Sequence, residues 1–189
     1  MVSTKRVKLE KNSWDRFALD PMVDVKYISD IEPEPFFKLI GDLEGRTLDI
    51  GCGVGRLMLN GYCGIDISRA MLDIAKKRKP NCEFKLCDGR KIPYPDDTFE
   101  NIQCVLVFQH LPIKGVESYL IEASRVLKSG GRFIFQFISS EDVFDGGPLS
   151  FAHDTSKIKN ILGANKMSVM KISKGDIHPL WTWITAIKK

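Results

Sequence analysis

Thr47 to Ile50 is a short apolar run that stops abruptly on Gly51-Cys52-Gly53-Val54-Gly55, and this junction constrains the chain more than any other feature. It is the signature of a buried strand that turns sharply at its carboxyl end. Aliphatic side chains fill both faces of such a strand, and the glycines let the backbone turn and approach a neighbour without side-chain obstruction.

Elements that alternate in kind surround the turn. Glu34 to Leu43 sets Phe36, Phe37, Ile40 and Leu43 on one helical face and predicts a leading helix. Tyr62 to Ile65 predicts a second strand, Ser68 to Arg78 a helix capped by Ser68, and Cys82 to Leu86 a third strand. A fourth strand is expected over Asn101 to Val107, followed by a helix whose Val116, Tyr119, Leu120, Ala123 and Leu127 share a face. Ser129-Gly130-Gly131 are expected to end that helix before a fifth strand, Arg132 to Ile138. Such alternation requires a parallel sheet with crossovers on both faces, an α/β architecture whose ligands sit at the carboxyl ends of the strands. After a short helix near Thr155 to Leu162, Met167 to Lys174 and Trp181 to Lys188 read as a terminal hairpin.

The 189 residues, 43% of them hydrophobic, supply the core of one domain of ordinary size. No run approaches the roughly 18 to 20 apolar residues of a bilayer span. The polar start, Met1 to Asn12, lacks the apolar region of a secretory signal, so the expected address is cytoplasmic. Cys52, Cys63, Cys82, Cys87 and Cys104 lack metal-ligand spacing and are expected to be reduced thiols. Asp142, Asp145 and Asp154 have no ordered ligand spacing either, so no metal site is expected. The net charge of +4 is dispersed except over Lys5 to Lys11 and Lys76 to Lys79, which permits nucleic acid as a partner without indicating it.

Spacing discriminates among ligands for the glycine turn. A dinucleotide fingerprint places glycine first, third and sixth, but counted from Gly51 the sixth residue is Arg56. Gly64-Ile65-Asp66-Ile67-Ser68 sets a carboxylate at the end of the second strand, where it reads as an acceptor for a ribose diol or as a helix-cap or turn residue. Cys87-Asp88-Gly89 sets another after the third strand, an acceptor for an adenine amino group or a plain turn residue.

Taken in order, Asp49 to Gly55, Asp66, Asp88 and then Ile92-Pro93-Tyr94-Pro95-Asp96-Asp97-Thr98-Phe99 resemble the class I S-adenosylmethionine-dependent methyltransferases. The nearest pattern is the small-molecule branch that includes quinone-biosynthesis enzymes, and the likeness covers the domain from residue 33 to residue 189. The resemblance implies a Rossmann-like, doubly wound, mostly parallel seven-stranded sheet whose C-terminal hairpin adds an antiparallel strand. It implies S-adenosylmethionine as cofactor and S-adenosylhomocysteine as product. By the same resemblance Gly51, Cys52 and Gly53 border the methionine part, Asp49 orients the loop and the ammonium group, and Asp66 holds the ribose. Ile67 packs on the adenine, Asp88 and Gly89 frame its edge, and Phe108 and Gln109 face the sulfonium end. Only the ten residues 56–65 separate Gly55 from Asp66, fewer than the family usually has. The helix after the turn is therefore expected to be no longer than Arg56 to Asn60, with the leading segment or a partner subunit covering the gap.

Methyl transfer from a sulfonium is a direct displacement that asks mainly for alignment and exclusion of water. Where the acceptor must lose a proton, His110 is the candidate base, with a packing role as the equal alternative. His153 and His178 are expected at the surface. Residues 1–32 form a separate leading segment in which Trp14 and Tyr27 serve as a lid over the site or as packing anchors. Asp66→Ala is expected to weaken cofactor binding and to leave folding largely intact. Methylation of a small molecule is the leading reading. Its competitors are an RNA- or tRNA-modifying methyltransferase and a non-catalytic domain that binds the cofactor to sense or scaffold.

Overall fold

The computed structural model describes residues 4–19, 33–141 and 150–189, with side chains from Lys11 onward in the first stretch; Tyr27, Asp142 and Asp145 lie outside the described residues. Two helices, α1 (Thr4–Leu19) and α2 (Pro33–Ile40), precede β1 (Thr47–Ile50), β2 (Cys63–Asp66), α3 (Arg69–Arg78), β3 (Glu83–Leu86) and β4 (Phe99–Cys104). A 3-10 turn at Phe108–His110 leads into α4 (Ile113–Val126), β5 (Leu127–Ser139), the two-residue β6 (Ala152–His153) and α5 (Thr155–Ala164). The terminal hairpin is β7 (Met167–Lys174) and β8 (Trp181–Lys188), with the limits expected.

One sheet runs in the order β3-β2-β1-β4-β5-β8-β7. β1 to β5 run parallel to one another, and β8 runs antiparallel to both β5 and β7. Strand order reverses between β1 and β4, so a crevice opens at their carboxyl ends. β6 is additional to the seven strands expected, pairing in parallel with Ile138 and Ser139 of β5. Ser68 Oγ accepts from the Met71 N–H at 3.1 Å and starts α3, which buries Met71, Leu72 and Ala75 against the sheet. Beneath the other face, Phe108, Phe133 and Phe135 pack with centroids 4.8 to 5.3 Å apart along the stack.

Two expectations are corrected. No helix follows the glycine turn: Gly55 has φ +76°, a left-handed conformation that a right-handed helix does not admit, and 56–61 continue as turns. Leu57 instead packs with Phe36 and Ile40 of α2 and with Val105, Ile134 and Trp183, so the leading helix covers the gap. The second correction concerns α4, which ends at Val126 rather than at the glycines. Leu127 is fully buried and already pairs with Phe99, and 129–131 form an irregularity inside β5 where the register with β4 shifts.

Candidate functional site

A cavity of about 520 Å³ lies at the carboxyl ends of β1, β2 and β4, within the range of roughly 300–1,000 Å³ for small-molecule sites. The turn after β1 forms one wall. Gly51 and Cys52 both donate to the Ile65 carbonyl, at 2.8 and 3.0 Å, which folds the turn back onto β2. Glycine is required at position 51, since a Cβ there would lie 2.3 Å from Val107 Cγ2.

Asp66, 8% exposed, joins this turn to the next one. Its carboxylate accepts from Gly53 N at 2.9 Å and from Ser68 N at 2.8 Å, and it borders the cavity. The turn-residue and cavity readings thus coincide, because each carboxylate oxygen keeps a lone pair for a further donor. Burial raises the proton affinity of Asp66, opposed by the Ser68 and Gly53 N–H groups. Asp49 is buried in β1 between Gly64 of β2 and Gln103 of β4. Its carboxyl is pushed up to about 7 by burial, against the hydrogen bond from Gln103.

Asp49, Gly51, Cys52, Gly53, Asp66, Ile67, Gly89, Gln109 and His110 all line the cavity; Asp88 and Phe108 do not. Asp88 is exposed and its Oδ1 accepts from Arg90 N and Lys91 N, both at 2.9 Å, so the side chain closes its own turn. Phe108 is fully buried among Tyr119, Phe133 and Phe135, because the 3-10 turn sends it into the core and its two successors to the cavity. His153 is also corrected: it is 3% exposed, and Nε2 donates to the Phe108 carbonyl at 2.9 Å. Burial lowers its proton affinity, opposed by the hydrogen bond to Phe108. Phe151 N donates to the Gln109 carbonyl at 2.7 Å, so the segment entering β6 pins the 108–110 turn from outside. His178 is exposed, as expected.

Further residues complete the wall, among them Trp14, the lid candidate of the leading segment. Arg56, which stands where a dinucleotide fingerprint would have its third glycine and which the sequence reading used only to exclude that fingerprint, lines the cavity. Trp14 and Phe17 come from α1, and Trp14 meets the His110 ring edge-on at 5.3 Å. α1 is anchored by Asp15, whose Oδ1 accepts from Ser68 Oγ at 2.5 Å and from Ala70 N at 3.4 Å, placing an anion at the N-terminus of α3. Trp181 enters from the start of β8, opposite Ile138 of β5.

The wall carries charge of both signs, with half-buried Arg56 beside the carboxyl groups. Two buried carboxylates, Asp49 and Asp66, flank the glycine turn, and no helix N-terminus follows it to receive a pyrophosphate. Gly53 gives this wall a bare backbone, with nothing within 4 Å of where a Cβ would project. A sulfonium nucleoside fits this set: a carboxylate for a diol, an acidic turn for the charged amino-acid part, and Ile67 and Met71 for the base. Thiolate chemistry is disfavoured, as burial pushes the Cys52 thiol well above its usual range and Cys87 up to about 11. All five cysteines are free, and among the described residues no three His, Cys, Asp or Glu side chains are grouped to hold a metal.

Comparison with known proteins agrees with this geometry. The family model described as a methyltransferase domain matches residues 48–135. An uncharacterized protein of Methanocaldococcus jannaschii is 30% identical over 170 residues, covering 88% of this chain and 66% of that one. The demethylmenaquinone methyltransferase of Tropheryma whipplei is 36% identical over 107 residues, covering 51% of this chain and 44% of that one. The chain thus spans between about half and two-thirds of these relatives' own length. In fold it is similar to the magnesium protoporphyrin IX methyltransferase of Synechocystis with bound S-adenosylmethionine, at TM-score 0.71 and 16% identity, covering 100% of this chain and 99% of that one. The named likenesses are to S-adenosylmethionine-dependent methyltransferases of class I, and they support S-adenosylmethionine as the cofactor. Among the described residues no helix is long and apolar enough to cross a membrane.

Proposed function

We propose that this chain transfers the methyl group of S-adenosylmethionine to a small, largely apolar acceptor by direct displacement. The supporting observation is how the cavity wall divides along the sheet. Toward β2 it carries Asp66, Asp49 and the bare glycine backbone; toward β5 and β8 it carries Leu106, Leu111 and Trp181; and α1, anchored beside the end of β2 through Asp15, brings in Trp14 and Phe17, with Trp14 reaching His110. The acidic side suits a cationic donor, while the aromatic side buries an apolar acceptor and excludes water. In that arrangement Asp66 holds the ribose, Asp49 faces the ammonium group, and α1 acts as the lid. His110 takes the acceptor's proton where one must leave. Two proteins similar to this chain, one in sequence and one in fold, are named for demethylmenaquinone and magnesium protoporphyrin IX, which supports a ring-bearing acceptor.

Calorimetry should show S-adenosylmethionine and S-adenosylhomocysteine binding more tightly than NAD. Metabolite profiling with methyl-labelled cofactor should then show label in a small apolar compound. Tighter binding of NAD, or label passing to RNA alone, would sink the reading.

A further inference from the structure

Gln136 sits in the middle of β5 with no exposed surface, where an amide must find partners for both its ends. Its Oε1 accepts from Leu106 N at 3.1 Å, and its Nε2 donates to Gln109 Oε1 at 3.1 Å. Gln109 Nε2 in turn lies 3.4 Å from His110 Nε2. The direction of this chain is determined at its origin. A backbone N–H can only donate, so Gln136 must turn its oxygen to Leu106 and its amino group to Gln109. Gln109 must then offer its oxygen back and its amino group onward, because a flip of either amide would set two like groups against each other. His110 Nε2 is left as the acceptor, and the ring proton is left on Nδ1.

The surroundings are built to hold the chain in place. Leu106 has φ +62°, a strained conformation for leucine, and it is this residue whose N–H starts the relay. His153 and Phe151 pin the Phe108 and Gln109 carbonyls from the far side, and Trp14 packs edge-on against the His110 ring.

We infer that Gln136 and Gln109 are positioning residues that hold His110 as a neutral imidazole with its Nε2 lone pair turned to the Gln109 amide at the cavity wall. Protonating Nε2 in this arrangement would oppose two N–H donors. The inference rests on the methyl-transfer reading for its use. The 3.4 Å contact is longer than an ordinary hydrogen bond, so an acceptor hydroxyl or amine can displace the Gln109 amide. As the acceptor's lone pair bonds to the methyl carbon, the C–S electron pair stays on sulfur and the acceptor's proton passes to Nε2.

The test is the tautomer of each histidine in the full chain labelled with 15N-histidine, read from long-range 1H–15N correlations above neutral pH, with His110→Asn for assignment. His153 donates through Nε2, and His178 Nδ1 accepts from Leu180 N at 3.3 Å, so both carry the proton on Nε2. His110 alone should carry it on Nδ1. Gln109→Glu, which offers only acceptor oxygens, should move the proton to Nε2, and Gln136→Met should let both tautomers appear. If Gln136→Met does not fold, the half-buried Gln109 decides the matter. Wild-type His110 protonated on Nε2, or a tautomer unmoved by Gln109→Glu, overturns the relay. Calorimetry on the same samples separates the two readings: cofactor binding with His110 protonated on Nε2 overturns the relay alone, and no binding with the Nδ1 tautomer intact overturns the function alone.

Discussion

Asp66 carries two duties in one carboxylate, and this changes what its removal should do. Asp66→Ala should weaken S-adenosylmethionine binding by about 1.5–3 kcal/mol, roughly tenfold or more by calorimetry. The expectation that folding is largely spared is revised, because Gly53 N and Ser68 N lose their acceptor in a buried setting. An added loss of about 1–3 kcal/mol of stability should appear in denaturant titration. Unchanged affinity in a folded variant would place the ribose elsewhere. Asp49 supplies a pH signature. Its folded value, raised from 3.8 to about 7, means that the folded chain binds more protons than the unfolded one between those values. Its contribution to stability is therefore fully present below pH 3.8 and is lost as pH rises through about 7. A cation beside Asp49 favours the ionised form, so cofactor affinity should rise across neutral pH and binding should release protons. Calorimetry in buffers of different ionisation heat measures that release, and a binding heat independent of buffer would count against Asp49 facing the cofactor's charge.

At the scale of elements, α1 and the 108–110 turn are the parts whose position the chemistry needs. α1 is tied to the α3 N-terminus by Asp15 and presents Trp14 and Phe17 to the cavity. Trp14→Ala should therefore raise the cofactor Kd by about fivefold to thirtyfold, the worth of roughly 1–2 kcal/mol of lost apolar contact. Dissociation in stopped flow should quicken, and Tm should stay within about 4 °C because the sheet core lies elsewhere. A Tm that collapses while affinity is retained would make α1 a packing anchor instead of a lid. The missing helix after Gly55 has a consequence at the same scale: with Leu57 held by Phe36 and Ile40, α2 becomes part of the wall behind the glycine turn.

The whole molecule depends on one aromatic layer under the sheet. Phe135 is fully buried at the centre of β5, beside Phe133 and Phe137 and against Phe108 of the site turn. Phe135→Ala should cost about 3–5 kcal/mol and lower Tm by roughly 6–20 °C, measured by calorimetric or denaturant unfolding. A loss below about 1 kcal/mol would show that the layer repacks freely. Much of this architecture was legible in the chain alone. Thr47 to Ile50 as a strand, Ser68 as a cap, both strands of the terminal hairpin and an acid at the end of β2 follow from periodicity, capping chemistry and turn residues, all signals carried by neighbours within a few positions. Tertiary structure decided what depends on distant partners. Phe108 turns into the core, His153 is buried against a carbonyl 45 residues earlier, and Asp15 caps a helix 53 residues later. Gln136 reads in sequence as one polar residue within a strand. It gains a role only because the sheet order sets β5 beside β4, bringing its amide between the strained Leu106 and Gln109.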